Sequence, residues 1–204
     1  PVIEAWLPID ESMLLDLAVA EGERPIFDPN ARRVRWSSEL KYGELVLSQE
    51  LRDPRTPEEW KQAEAILLKQ AWNTEIPEGR IELSSAQEFV LRLRNQGQAE
   101  LADFLEALFA RLLLITEHKL LQGDLPSYRD LLAGAIEGLL SLKDLESVEW
   151  ESATAGALLE LCPGIRLKDW TPTQITLPGP PQGARPGPRN ARIHYELGHA
   201  PRVE

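Results

Sequence analysis

The spacing of apolar residues divides the chain into a β-rich beginning, a helical middle and a β-rich end. Short apolar runs bounded by turn residues predict strands at 2–7, 25–27, 34–36 and 45–47. A helix with Asp10 as its N-cap is predicted between the first two runs. Together these elements predict a small, strongly curved sheet.

Helical periodicity replaces the strand pattern from about residue 55. The segment Thr56-Pro57-Glu58-Glu59 has the form of a capping box with proline at the first helical position. Ser85 and Glu88 have the spacing of a second capping box. Apolar stripes predict further helices that include 101–113, 131–140, 142–148 and 153–161.

The end of the chain returns to a strand pattern. Ile175-Thr176-Leu177 predicts a strand, and the alternation over 191–195 predicts a returning strand. The segment between them, 178–188, is rich in Gly and Pro and predicts an exposed loop.

The composition narrows the possible functions. Lys and Arg number 22 against 33 Asp and Glu, and the resulting net charge of -11 argues against broad, charge-driven binding to nucleic acid or to an anionic membrane. The single cysteine, Cys162, excludes an intrachain disulfide, so we expect a cytoplasmic protein. Because the chain begins with Pro1 and stops soon after a predicted strand, we expect a segment of a larger protein.

Three groups of motifs occur in an order that points to a known family. The first group is Asp28–Arg35 followed by Tyr42–Ser48, and the second is Leu167–Thr173 after a helical middle. The third is Ile175–Pro178 leading to Ala191–Glu196. Together these motifs resemble the C-terminal accessory region of bacterial HrpB-type DEAH-box ATP-dependent helicases. The resemblance covers nearly the whole chain.

This resemblance implies a fold and a division into domains. We expect an α+β chain in which both ends form one small, curved, OB-like β module and a mainly α-helical subdomain is inserted between them. The expected boundaries are 1–54 for the first part of the module, 55–170 for the helical subdomain, and 171–204 for the returning β segment and the start of a further region.

The resemblance also implies a non-catalytic role beside a motor. Such helicases use ATP and magnesium in two RecA-like lobes to move along single-stranded RNA, and those lobes would be partners in the same polypeptide. Their phosphate-binding loop ends in Gly-Lys-Ser or Gly-Lys-Thr, whereas this sequence holds no Gly-Lys dipeptide. We therefore expect no cofactor in this segment, and ATP and magnesium in the parent protein.

One basic cluster with an aromatic residue is a candidate for contact with RNA. It lies on and beside predicted strands and consists of Arg32, Arg33, Arg35, Lys41 and Tyr42. Sheets of the OB type bind single strands by combining backbone-tracking cations with stacking rings. The alternative interpretation is an ordinary solvated strand face.

Other reactive residue types are better explained by structure than by chemistry. His194 and His199 have no third ligand at metal spacing nearby, and Cys162 has no neighbouring histidine. Glu59 is explained by helix capping. The alternative function is a protein-interaction module without a nucleic-acid role, which the negative charge favours. We expect no membrane association.

Overall fold

The computed structural model describes residues 17–121, 123–177 and 189–204. The strand expected at 2–7, the helix capped by Asp10 and the loop expected at 178–188 lie outside the described residues. In the described ranges, no helix is both long and apolar enough to cross a lipid bilayer.

The first three described strands form an antiparallel meander in the order β1-β2-β3. They are β1 (Val19–Asp28), β2 (Arg33–Tyr42) and β3 (Leu45–Arg52), and they contain the three strands predicted at 25–27, 34–36 and 45–47. Asp28 shapes the first turn, because its carboxylate accepts hydrogen bonds from the amides of Asn30 and Ala31 at 3.0 and 3.2 Å. Gly43 has a φ of 59° and makes the second turn possible.

Two irregularities in strand pairing bend this first sheet. The register between β1 and β2 shifts between Glu21 and Arg24, and the register between β2 and β3 shifts between Leu40 and Lys41. Such bulges increase the local twist of a sheet. Both bulges lie in the half of the sheet that is distant from the first turn, and the strong curvature of the sheet stays a prediction from the sequence.

The middle of the chain is helical, as the periodicity predicts. The described residues contain α1 (Pro57–Trp72), α2 (Leu83–Asn95), α3 (Ala99–Glu117), α4 (Tyr128–Ala135), α5 (Leu142–Leu145), α6 (Trp150–Leu161) and α7 (Leu167–Trp170). The predicted cap of α1 is confirmed, because the Thr56 hydroxyl accepts a hydrogen bond from the Glu59 amide at 3.2 Å.

The second predicted capping box is wrong. Helix α2 begins at Leu83, and its N-cap residue Glu82 makes no side-chain cap. The Ser85 hydroxyl instead lies 2.9 Å from the hydroxyl of Tyr128, which donates to the Glu82 carbonyl at 3.2 Å. A tyrosine from α4 therefore organises the start of α2, and sequence spacing cannot reveal such a distant partner.

The helix predicted over 131–140 is shorter than expected. Helix α4 ends at Ala135, and the residues after it pair with the first sheet. The Val34 amide donates to the Leu140 carbonyl at 2.8 Å, and the Leu142 amide donates to the Arg32 carbonyl at 3.0 Å. Leu139 and Leu140 are apolar because they face the core beside β2, and not because they continue the helix.

One hydrophobic core joins the first sheet to the helices. Val34 and Trp36 of β2 are 0% and 4% exposed and belong to the same buried cluster as the helical leucines. The centre of this cluster is aromatic. Phe109 lies 5.3 Å from Tyr128 and 6.5 Å from Phe89, measured between ring centroids.

The end of the chain forms a second, separate antiparallel sheet in the order β4-β5-β6. Its strands are β4 (Gln174–Leu177), β5 (Arg189–His194) and β6 (Arg202–Val203), so the two strands predicted in the tail are confirmed. The described strands from the two ends do not pair with each other, so the expected shared sheet is not present among them. The α+β class stands, and an OB-like closure is not confirmed.

An arginine at the end of β3 fastens the first sheet to α1. The two terminal nitrogens of Arg52 donate to the two carboxylate oxygens of Glu59 at 2.8 and 2.9 Å. Arg52 also contacts Glu23 of β1, and its guanidinium lies 5.9 Å from the ring centroid of Trp36. This bidentate arrangement lowers the pKa of Glu59 from 4.5 to about 2.

Replacing Phe109 by alanine is expected to destabilise the fold by about 3–5 kcal/mol, because it leaves a cavity against two other aromatic rings. Urea unfolding followed by circular dichroism measures the change. The matched control is Leu91→Ala at a residue 56% exposed, which should change stability by about 0.5 kcal/mol or less. Equal effects of the two substitutions would contradict the assigned core.

The Arg52 contacts predict a stability that depends on acidity. Since the pKa of Glu59 is lower in the folded chain, its contribution is present above pH 4.5 and is lost as the pH falls towards about 2. The Glu59→Gln variant should therefore show a smaller loss of melting temperature over this range than the unaltered chain. If the melting temperatures of the two proteins fell by the same amount over this pH range, the ion pair would contribute nothing to stability.

Candidate nucleic-acid interface

The structure brings three of the predicted basic residues to one face of β2. Arg33, Arg35 and Lys41 are separated by even numbers of residues along the strand, so they lie on the same side of the sheet. Arg32 lies in the turn that precedes the strand and has a left-handed φ of 49°. Tyr42 ends the strand and, by the same alternation, belongs to the opposite face.

Each predicted cation of this cluster meets a carboxylate. Arg33 lies 2.9 Å from Asp53, which follows β3, and Arg35 lies 4.0 Å from Asp28 at the end of β1. Arg32 lies 3.0 Å from Glu146, next to α5. These pairs leave little unbalanced positive charge for a phosphate backbone.

Lys41 is the most strongly balanced member of the cluster. Its ammonium group lies 2.8 Å from a Glu21 oxygen and 2.9 Å from a Glu39 oxygen. These hydrogen bonds raise the pKa of Lys41, and the bond from Lys41 lowers the pKa of Glu39. Arg24 approaches Glu39 as well, at 3.4 Å. The face is therefore a ladder of alternating charges across β1 and β2.

The sequence predicts only some of the ion pairs that neutralise this cluster. Glu39 lies two residues before Lys41, so strand alternation alone places the two side chains on one face. Glu21 and Asp53 reach the cluster only through the register of β1 and the path of the chain after β3. Glu146 approaches from the helical region and carries no sequence signal for this contact.

The outer end of the first sheet has a different character. We call Val19, Tyr42, Leu45 and Val46 the hairpin tip, because they surround the turn between β2 and β3. Their exposed fractions are 69%, 43%, 55% and 46%. Five acidic residues and two basic residues lie on this half of the sheet, namely Glu21, Glu23, Glu39, Glu44 and Glu50 with Arg24 and Lys41. The tip is thus apolar with acidic surroundings.

The other reactive groups do not assemble a catalytic site in the described residues. Burial raises the pKa of the Cys162 thiol, which lies in the hydrophobic core and donates a hydrogen bond to the Asp124 carbonyl at 3.9 Å. Glu64 is 3% exposed, its carboxylate accepts a hydrogen bond from the Gly138 amide at 3.0 Å, and burial raises the pKa of the carboxyl. It has no nucleophile or base as a hydrogen-bond partner, so it is a core carboxyl that orders the segment after α4.

The two histidines of the tail each face one carboxylate. His194 lies 3.2 Å from Glu204, and His199 lies 3.8 Å from Glu196. No group of three or more His, Cys, Asp or Glu residues in the described part of the chain could hold a metal ion. These contacts agree with a structural interpretation of both histidines.

Comparison with known proteins identifies no family for this chain. No family model, no curated protein and no solved structure matches the chain. The HrpB-type resemblance therefore stays a prediction from the motifs.

Proposed function

We propose that this chain is a non-catalytic accessory segment of an ATP-dependent RNA helicase of the HrpB type, and that it braces the RecA-like motor lobes of the same polypeptide. The order of the motifs along the chain supports the proposal. ATP and magnesium would be bound by the parent protein, which we place in the cytoplasm. The bulged first sheet is the part that we propose to be OB-like.

The observation that carries the proposal is the asymmetry of the first sheet. One end is part of the core, where Val34 is 0% exposed, while Leu45 at the other end is 55% exposed. The outer edges of β1 and β3 pair with no other described strand. A projecting apolar sheet end with open edges is typical of a surface that another protein covers.

The charge around the hairpin tip indicates which kind of surface would cover it. On this half of the sheet, Arg24 and Lys41 are both paired with acids, whereas Glu44 and Glu50 have no cation within 4.0 Å among the described residues. Such a surface is complementary to a basic one. The lobes of a helicase carry basic surfaces because they bind the phosphates of ATP and of RNA, so they fit this requirement.

A second candidate function is supported by the ion pairs on β2. Arg33 and Arg35 face carboxylates of their own chain, which favours a protein-interaction module without a nucleic-acid role. Both candidates use the hairpin tip as the contact surface. They differ in the partner, which is the RNA motor in the first case and an unrelated basic protein in the second.

We expect the Leu45→Ser substitution to weaken the binding of this chain to the separately produced motor lobes by about tenfold, or roughly 1.4 kcal/mol. Leu45 lies at the exposed tip and contributes nothing to the buried core. Isothermal titration calorimetry without RNA measures the affinity. The matched control is Leu91→Ser, since Leu91 is 56% exposed on α2 and should change the affinity by less than about twofold.

The same variants test whether this chain contributes to RNA-stimulated ATP hydrolysis by the parent protein. In the intact parent protein, Leu45→Ser should lower RNA-stimulated ATP hydrolysis and Leu91→Ser should not. Full hydrolysis activity with both variants, together with unchanged binding of the lobes, would exclude the proposed bracing role and leave the second candidate.

A further inference from the structure

The outer edge of β3 is the more open of the two edges of the first sheet. Residues 48–52 pair with β2 without interruption, and the register shift between these two strands lies nearer the hairpin tip. The side chains of Ser48, Gln49, Glu50 and Leu51 are all exposed. Because the outward amides and carbonyls of an edge strand lack partners, this run offers backbone hydrogen bonds to a further strand.

The edge of β1 is less suited to such pairing. Pro25 lies within the strand and has no amide hydrogen to donate. The register between β1 and β2 also shifts between Glu21 and Arg24, and a bulge of this kind disrupts pairing along an edge. Strand β3 contains no proline. The two edges therefore differ, and β3 is the one that can accept a neighbour.

The side chains of β3 indicate what kind of strand fits its edge. Neighbouring residues of a strand point to opposite faces of the sheet, so Glu50 lies on one face and Leu51 on the other. The Glu50 carboxylate has no cation within 4.0 Å among the described residues, and Leu51 is 37% exposed. A strand with basic residues on one face and apolar residues on the other satisfies both side chains. The sequence of such a strand alternates basic and apolar residues.

Two other side chains of this run are held by partners within the chain. The Gln49 amide donates to the Ser37 hydroxyl at 3.0 Å and to a Glu39 carboxylate oxygen at 3.3 Å, so it is turned towards β2. The Arg52 guanidinium makes its bidentate contact to Glu59. These contacts leave the outer edge of β3 open, with Glu50 as its free charge.

We infer that an extended segment of a partner protein, with alternating basic and apolar residues, adds to the first sheet as a fourth strand along the outer edge of β3. Its backbone pairs with residues 48–52, while Glu50 binds a basic side chain and Leu51 packs against an apolar one. The inference rests on the proposed function and names the part of the partner that meets the sheet. Since Leu45 and Val46 begin the same strand, the segment leads directly to the hairpin tip.

A second copy of this chain fits the edge less well than a basic partner does. If two copies paired through β3, both would bring Glu50 to the contact and neither would bring a free cation. Arg52 is the one basic residue of β3, and it already binds Glu59 and Glu23. The net charge of -11 on each copy adds repulsion. A basic segment removes both costs.

The test uses the full chain and a synthetic octapeptide in which lysine and valine alternate. With saturating peptide, the outward amides of residues 48–52 should exchange with solvent at least about tenfold more slowly, because they become hydrogen-bonded. The amides of residues 24–28 in β1 should change by less than about twofold, since Pro25 and the bulge disfavour pairing at that edge. Hydrogen exchange followed by NMR measures both.

Two controls separate strand pairing from attraction between charges. The same peptide with methylated backbone amides keeps its side chains but cannot donate to β3, so its affinity in an anisotropy titration should fall at least about tenfold. The Glu50→Gln substitution should weaken binding of the unmodified peptide roughly threefold, as expected for an exposed ion pair. The matched substitution Glu160→Gln, at an exposed position of α6, should leave binding unchanged.

The inference fails if the methylated peptide binds as tightly as the unmodified one, or if β1 is protected and β3 is not. Protection of residues 48–52 without peptide also overturns it. Such protection would show that a second copy occupies the edge if it rises with protein concentration, and that the chain covers its own edge if it does not. The motor-lobe titration is a separate measurement. Lobes that bind in a manner sensitive to Leu45→Ser but leave the β3 amides unprotected would remove this inference and keep the proposed function.

Discussion

The first half of β2 is the part of the molecule on which the remaining structure depends, because it belongs to a sheet and to the helical core at once. Val34 and Trp36 fill the core between the helices, and the backbone of Arg32 and Val34 pairs with the segment after α4. Burying both side chains requires that the strand lie against the helices, and the hydrogen bonds fix its register there. The rest of the sheet then projects outwards.

Because only one end of the first sheet packs against the helices, the side chains at its two ends have different surroundings. Near the anchor, Arg52 combines a bidentate contact to Glu59 with a position over Trp36, and so joins sheet, helix and core. At the distant end, apolar side chains remain exposed among carboxylates. A surface of that kind is costly in water unless a partner covers it, which is why the tip carries the proposed contact with the motor lobes.

The arginine and lysine side chains of the chain have two kinds of partner. On β2, every cation of the predicted cluster faces an acid supplied by a neighbouring strand, a turn or the helical region. Arg111 donates to the backbone carbonyls of Thr171 and Leu167 and to the Thr171 hydroxyl, and its guanidinium lies 5.7 Å from the ring centroid of Tyr195.

The sequence alone determined the α+β class, the strands that contain 25–27, 34–36 and 45–47, the two predicted strands of the tail and the capped start of α1. These follow from apolar spacing and local side-chain chemistry. Tertiary structure decided the capping of α2 by Tyr128, the early end of α4 and the separation of the two sheets. It also decided that Arg33 and Lys41 face carboxylates, whereas Arg111 donates to backbone carbonyls. Those outcomes depend on contacts between residues that are far apart in the chain, and a local sequence pattern does not specify which distant side chain makes the contact.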